Sequence, residues 1–255
     1  MNNLFSPSIY GLIIALAILI GLWVCFLETK RKKQDVKVLF DVAFWVLISG
    51  LVGARFYHVV HQWSFYQENP GFIFHLWNGG LGIYGAIFGG LLAIWIYTRF
   101  KKLDFLIWSD IAVLGLPLGQ AIGRWANFFN QELYGYPTNL AWAIYIEPIN
   151  RLPQFKNISY FHPLFLYESF WNLAVFLIIF FAGRRLDKRL LKGELFILYI
   201  SLYSLGRFFI EFLKPDVWRL AALPAAQLIA VFIIVLCLII TAVRRCWFKQ
   251  VNVKI

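Results

Sequence analysis

The chain has 255 residues, 61% of them hydrophobic and only 15% charged, with a net charge of +11. A soluble domain is about half apolar and ~25% charged, so this composition excludes one and places the chain in a bilayer. The basic excess sits in loop-sized clusters, which argues against nucleic acid as a partner and for a membrane-orientation signal.

Seven apolar stretches approach or exceed the ~20 residues that cross a hydrocarbon core: about 9–27, 38–60, 79–98, 104–125, 163–182, 194–213 and 221–243. Ile9–Leu27 carries no charge. Lys30, Arg31, Lys32 and Lys33 follow it, whereas a cleaved signal peptide has its positive charge before the apolar run. No Asp, Glu, Lys or Arg lies between Glu68 and Arg99. Seventeen Lys and Arg fall in 28–37, 99–103, 183–193 and the tail after Val243, while the alternate connections hold only Arg151, Lys156, Lys214 and Arg219. Basic loops stay cytoplasmic. The expected fold is an all-α polytopic membrane protein with its N-terminus outside and C-terminus cytoplasmic. It is read as one integral domain over 1–255, with a small extracytoplasmic insertion over 127–161.

Three arginines are left over by that topology: Arg55, Arg124 and Arg207, each in the outer half of a different span. A charge at the bilayer centre costs about 2.5–3.5 kcal/mol. One such arginine can snorkel to the interface; three at a similar depth point to a shared polar pocket. A guanidinium donates two parallel hydrogen bonds to phosphate oxygens, so the pocket is expected to take an anionic lipid headgroup. Glu168 in the fifth span is a candidate partner. So is Glu211, four residues after Arg207 on the same helical face, where a purely structural ion pair is the competing explanation.

The third span opens WNGGLGIYGAIFGG. The spacing of Gly85 with Gly89, and of Ala86 with Gly90, suits close helix packing. Gly79-Gly80 suits a backbone that bends or comes close to a ligand, and Tyr84 reads as an interfacial aromatic. The long outer connection begins with Asn127, Asn130, Gln131, Glu132, Tyr134, Gly135 and Tyr136, contains LAWAIYIEP as a candidate short strand, and ends at His162-Pro163, where proline starts a helix. Cys25, Cys237 and Cys246 match neither a metal-ligand spacing nor a disulfide framework, and no dinucleotide or phosphate-loop fingerprint occurs. Neither a metal nor a cofactor is expected.

GRWANFFNQELYG, Gly123 to Gly135, resembles the signature of the prolipoprotein diacylglyceryl transferase family. YGL at Tyr10, GARFYHV at Gly53, WNGGLGIYGA at Trp77, HPLFLYE at His162 and GRFFIEFLKPD at Gly206 resemble the same family in the same order. The resemblance implies seven spans in a bacterial cytoplasmic (inner) membrane and an active site toward the extracytoplasmic side. The implied reaction passes the diacylglyceryl group of phosphatidylglycerol to the lipobox cysteine of a prolipoprotein signal peptide. Tyr10, Arg124, Asn127, Asn130, Glu132, Gly135 and Arg207 carry over, with Glu168 and Glu211 as weaker matches. Where several family members read His-Gly-Gly, this chain reads Tyr84-Gly85-Ala86.

On this reading the substrate supplies the nucleophilic thiol, and Arg124 and Arg207 stabilise the departing phosphate. Glu132, His58, His61 and His162 are open candidates for the base, and Tyr84 orients substrate or donates a hydrogen bond. Arg55, Gly79, Gly80, Asn127, Asn130, Gly135 and His162 join the substrate contacts, and other membrane lipids surround the protein. A transporter, or a lipid-binding protein without chemistry, would use the same pocket.

Overall fold

The computed structural model describes residues 6–76, 79–220 and 223–253, so Trp77, Asn78 and the expected start of the last span at 221 lie outside the described residues. Among the described residues, seven helices are long and apolar enough to cross a membrane: Ile9–Arg31, Val36–His61, Ile83–Phe100, Phe105–Phe129, Leu164–Arg185, Glu194–Leu213 and Ala225–Phe248. The chain packs as two compact units, residues 25–111 and residues 1–24 with 112–255.

In the unit of residues 25–111, α2 (Val36–His61) starts where the Asp35 carboxylate accepts from the Lys37 amide at 2.8 Å. It is followed by a short α3 (Trp63–Glu68) and, after a turn, by α4 (Ile83–Phe100). α2 and α4 meet backbone to backbone. A Cβ added at Gly53 would collide with the Gly85 carbonyl, one at Gly85 with the Gly53 carbonyl, and one at Gly89 with the Ser49 carbonyl. The spaced glycines of α4 thus find their counterpart on α2, and hydrogen as a side chain is what allows the approach.

In the second unit, α1 (Ser6–Arg31) crosses α5 (Phe105–Phe129) on small residues, with a Cβ on Gly21 only 3.1 Å from the Gly115 carbonyl oxygen. α6 (Leu164–Arg185), α7 (Glu194–Ile210) and α8 (Ala225–Val253) complete this unit. Its core joins Val113 and Leu114 of α5 with Val175 and Ile179 of α6 and Leu195 and Tyr199 of α7. At the basic end of these helices Glu194 is gripped twice by Arg245, at 2.7 and 2.8 Å, and accepts from the Leu191 amide at 3.0 Å. Exposed Leu12 and Leu19 of α1 and Phe232 and Leu238 of α8 belong to apolar faces that suit lipid.

The connection from α5 to α6 has its own small core. β1 (Ile144–Tyr145) pairs antiparallel with β2 (Tyr160–Phe161), so the strand expected in LAWAIYIEP forms, but only two residues long. Ile146 and Phe161 are buried beneath it. Arg151, which the sequence offered only as a loop charge, donates to the carbonyls of Ile146 and Lys156 and to the Ser159 hydroxyl, holding the loop closed. β3 (Arg219–Leu220) and β4 (Leu223–Pro224) form a second two-residue pair before α8.

Candidate active site

Arg124 lies near the end of α5, Glu168 in the second turn of α6, and Arg207 in the last turn of α7, all at the end of the helices away from the basic loops. One carboxylate joins both arginines: Glu168 Oε2 is 2.6 Å from Arg124, and Oε1 accepts from Arg207 at 3.2 Å. Arg207 also donates to Glu211, one turn on, at 3.0 Å. The acids are buried, Glu168 at 3% and Glu211 at 5% exposure, while the arginine side chains keep 26% and 25%. Each guanidinium has five N–H donors, and the carboxylates occupy a minority of them. The result is a charge-neutral clamp that fixes two cations side by side and leaves their remaining donors for another anion.

Around it, the end of α5 turns into a strained loop. The Glu132 carboxylate accepts from Asn127 at 3.3 Å and Asn130 at 3.1 Å, and its amide donates to the Asn127 carbonyl at 3.0 Å. Gln131 and Leu133 flank Glu132 at φ of 53° and 58°, a left-handed conformation unusual for residues with side chains. The Tyr10 hydroxyl lies close enough to both Arg124 and Glu132 to feel their charges. Gly135 sits where three segments converge: a Cβ there would lie 2.7 Å from the Leu213 carbonyl oxygen and 2.9 Å from the Cβ of His162. What the structure displays at Gly135 is a tight junction and no ligand-facing surface.

His162 is held by Tyr167. Trp142 Nε1 can only donate, so the Tyr167 oxygen accepts from it at 2.8 Å, and the same hydroxyl lies 3.1 Å from His162 Nδ1.

Arg55 requires a correction. The sequence placed it with the other two arginines in a phosphate pocket, but all five of its donors end on main-chain carbonyls. Nε meets Ile73 at 2.9 Å, one terminal nitrogen meets Gly79 at 2.7 Å and Gly80 at 3.0 Å, and the other meets Phe72 and, at 3.1 Å, His75. Gly79 and Gly80 adopt φ of 78° and 72°, which turns their carbonyls onto the guanidinium. The glycine pair thus serves a bend around Arg55. Tyr84, 59% exposed, has its ring 5.8 Å from that of Tyr57 in the same unit.

Asn172 was missed. It lies one turn beyond Glu168 on α6, is 3% exposed, and its Oδ1 has no hydrogen-bond partner among the described residues. It faces a cavity of about 10 Å³ shared with Glu168 and Arg207, the volume one water needs. The four-residue spacing from Glu168 was the available signal.

Residues 3–243 match the family described as Prolipoprotein diacylglyceryl transferase. A phosphatidylglycerol–prolipoprotein diacylglyceryl transferase of Trichormus variabilis is 44% identical over 224 residues, covering 87% of this chain and 79% of its own. Proteins of the same name from Thermosynechococcus vestitus and Fervidobacterium nodosum are each 40% identical, covering 89% and 84% of this chain and 84% and 74% of their own. The chain belongs to the prolipoprotein diacylglyceryl transferase family.

Proposed function

We propose that this protein transfers the sn-1,2-diacylglyceryl group of phosphatidylglycerol to the lipobox cysteine thiol of prolipoproteins, at the outer face of a bacterial cytoplasmic membrane. The observation that carries the reading is the Arg124–Glu168–Arg207–Glu211 clamp in a chain of this family. Assigning the basic loops to the cytoplasm puts the clamp at the depth of outer-leaflet headgroups.

In this reaction the cysteine sulfur attacks the glycerol carbon that bears the phosphate ester. A carbon–sulfur bond forms, the carbon–oxygen bond breaks, and the electron pair stays on the departing glycerol 1-phosphate. Arg124 and Arg207 donate to the phosphate oxygens as that charge develops, where fixed donors in a water-poor site act most strongly. Glu168 and Glu211 hold the guanidinium planes in place. Glu132, near Arg124 and Tyr10, takes the thiol proton. A free carboxylate near pKa ~4.3 is a weak base for a thiol near ~8.5, and the two arginines narrow that gap by favouring the thiolate. Asn127 and Asn130 orient Glu132.

The test is to incubate purified protein with phosphatidylglycerol and a lipobox peptide and look for the thioether by mass spectrometry. Wild type is expected to make it and Arg124→Ala to make none while remaining folded in the membrane. No thioether from wild type would overturn the assignment, and full activity in Arg124→Ala would remove the phosphate role of that arginine; a transporter or a passive lipid binder makes no thioether.

A further inference from the structure

We propose that the cavity between residues 130–134, 150–152 and 214–216 binds the stretch of substrate polypeptide that directly follows the acceptor cysteine, an inference that rests on the transferase reading above. The cavity measures about 420 Å³, within the ~300–1,000 Å³ typical of ligand sites. All its walls lie beyond the last residues of α5 and α7, in connections at the basic-poor end of the helices. It therefore suits a water-exposed occupant rather than acyl chains.

Its chemistry separates a peptide from a headgroup. The charged lining consists of Glu132, Asp216 and Lys214, a net negative set that disfavours phosphate. Beside Leu133, Tyr134, Leu152 and Pro215, the neutral lining carries the side-chain amides of Asn130, Gln131 and Asn150. Gln131 Oε1 is taken by the Glu147 amide at 2.7 Å and by Asn150 Nδ2 at 3.1 Å, which leaves the Gln131 NH2 as donor and the Asn150 Oδ1 as acceptor. A free donor beside a free acceptor is what an extended main chain pairs with. The wall is fixed in advance: the Tyr134 hydroxyl donates to the Asn150 carbonyl and accepts from the Leu152 amide, both at 2.8 Å. Such pre-ordering lowers the entropy cost of binding.

Distance fits as well. From Arg124 to Asn130 is six residues, about 9 Å at helical rise. Extended chain advances ~3.4 Å per residue, so a peptide whose cysteine thiol sits at the arginine clamp reaches the cavity within about three residues. Lys214 and Asp216 have no side-chain partner among the described residues and remain able to read the charge of those residues.

The experiment uses full-length protein and two lipobox peptides identical through the cysteine, one ending there as an amide and one continuing for five further residues. Wild type is expected to favour the longer peptide by about tenfold in kcat/KM, and Asn150→Leu to bring that ratio close to one. Lys214→Glu turns a lining of two acids and one base into three acids and should strengthen the preference for long peptides carrying Lys over those carrying Asp at the second and third positions after the cysteine, a result that a merely damaged loop does not give. No length preference in wild type, or an equal loss on both peptides with no change in charge preference, overturns the site. A raised KM for phosphatidylglycerol in Lys214→Glu with no change in charge preference assigns the cavity to the headgroup and also overturns it. Wild type that modifies neither peptide overturns the transferase reading itself, and this site with it.

Discussion

Glu168→Gln is the substitution that best tests the clamp, because it keeps shape and hydrogen-bonding capacity while removing the charge that holds two cations together. Breaking a buried ion pair costs about 3–5 kcal/mol. Here the arginine side chains are 26% and 25% exposed, and water screens part of the effect. The expected destabilisation is about 2–3 kcal/mol. A second route gives a similar size: any two like unit charges ~7 Å apart repel by about 2.4 kcal/mol at an effective dielectric of ~20. If the repulsion displaces either arginine from the phosphate, that energy corresponds to a drop in kcat/KM of about 60-fold. The assay is thioether formation with phosphatidylglycerol and a lipobox peptide, beside thermal unfolding in the same detergent. Glu168→Asp, which keeps the charge on a shorter arm, should fall between wild type and Gln. A folded Glu168→Gln protein with kcat/KM within twofold of wild type would refute the clamp.

Arg55→Lys should lower thermal stability, since three ammonium donors cannot serve five carbonyls; an unchanged melting temperature would contradict this structural role. Gly85→Ala forces α2 and α4 apart at the Gly53 carbonyl and is expected to cost about 1–3 kcal/mol, read as reduced yield and melting temperature of the purified protein. Asn172→Leu should slow transfer severalfold without changing KM for the peptide, whereas Asn172→Asp, adding a third carboxylate beside Glu168 and Glu211, should be worse than Leu; kinetics on both variants decide it. Changing Cys25, Cys237 and Cys246 together to Ala should leave transfer largely intact, because the substrate brings the thiol; loss of activity in the folded triple variant would contradict an external nucleophile.

The spans were legible because hydropathy sums over some twenty residues and tolerates an occasional arginine. Their ends were not. The third span was expected from residue 79 and begins at Ile83, since Gly79 and Gly80 hold a left-handed backbone that no helix contains. The fourth was expected to stop near 125 and runs to Phe129, which makes Asn127 helical and sets it one turn beyond Arg124. At the site, Arg124, Arg207, Glu168 and Glu211 were readable as charges that a bilayer does not tolerate alone. That one carboxylate would take both arginines was not readable, because residues 124, 168 and 207 are joined only by the packing of α5, α6 and α7. Asn172 looked like an ordinary helix residue, and only its burial beside Glu168 marks it out.

The three intramembrane arginines are accommodated in two physically different ways, and the difference bears on chemistry. Arg55 is solvated by a collar of carbonyls that exhausts its donors, with no counter-ion among the described residues. Arg124 and Arg207 are neutralised by Glu168 and Glu211, which leaves donors unspent. In the proposed reaction the phosphodiester of phosphatidylglycerol carries one negative charge and the departing glycerol 1-phosphate carries two. A clamp whose own four charges cancel holds the singly charged ground state mainly through hydrogen bonds. It responds most to the second charge, which appears only as the ester bond breaks, and interactions that grow toward the transition state are the ones that raise the rate. A bare pair of arginines would bind substrate more tightly and would hold the doubly charged product tighter still. In the proposed reaction the buried acids therefore set turnover as well as position.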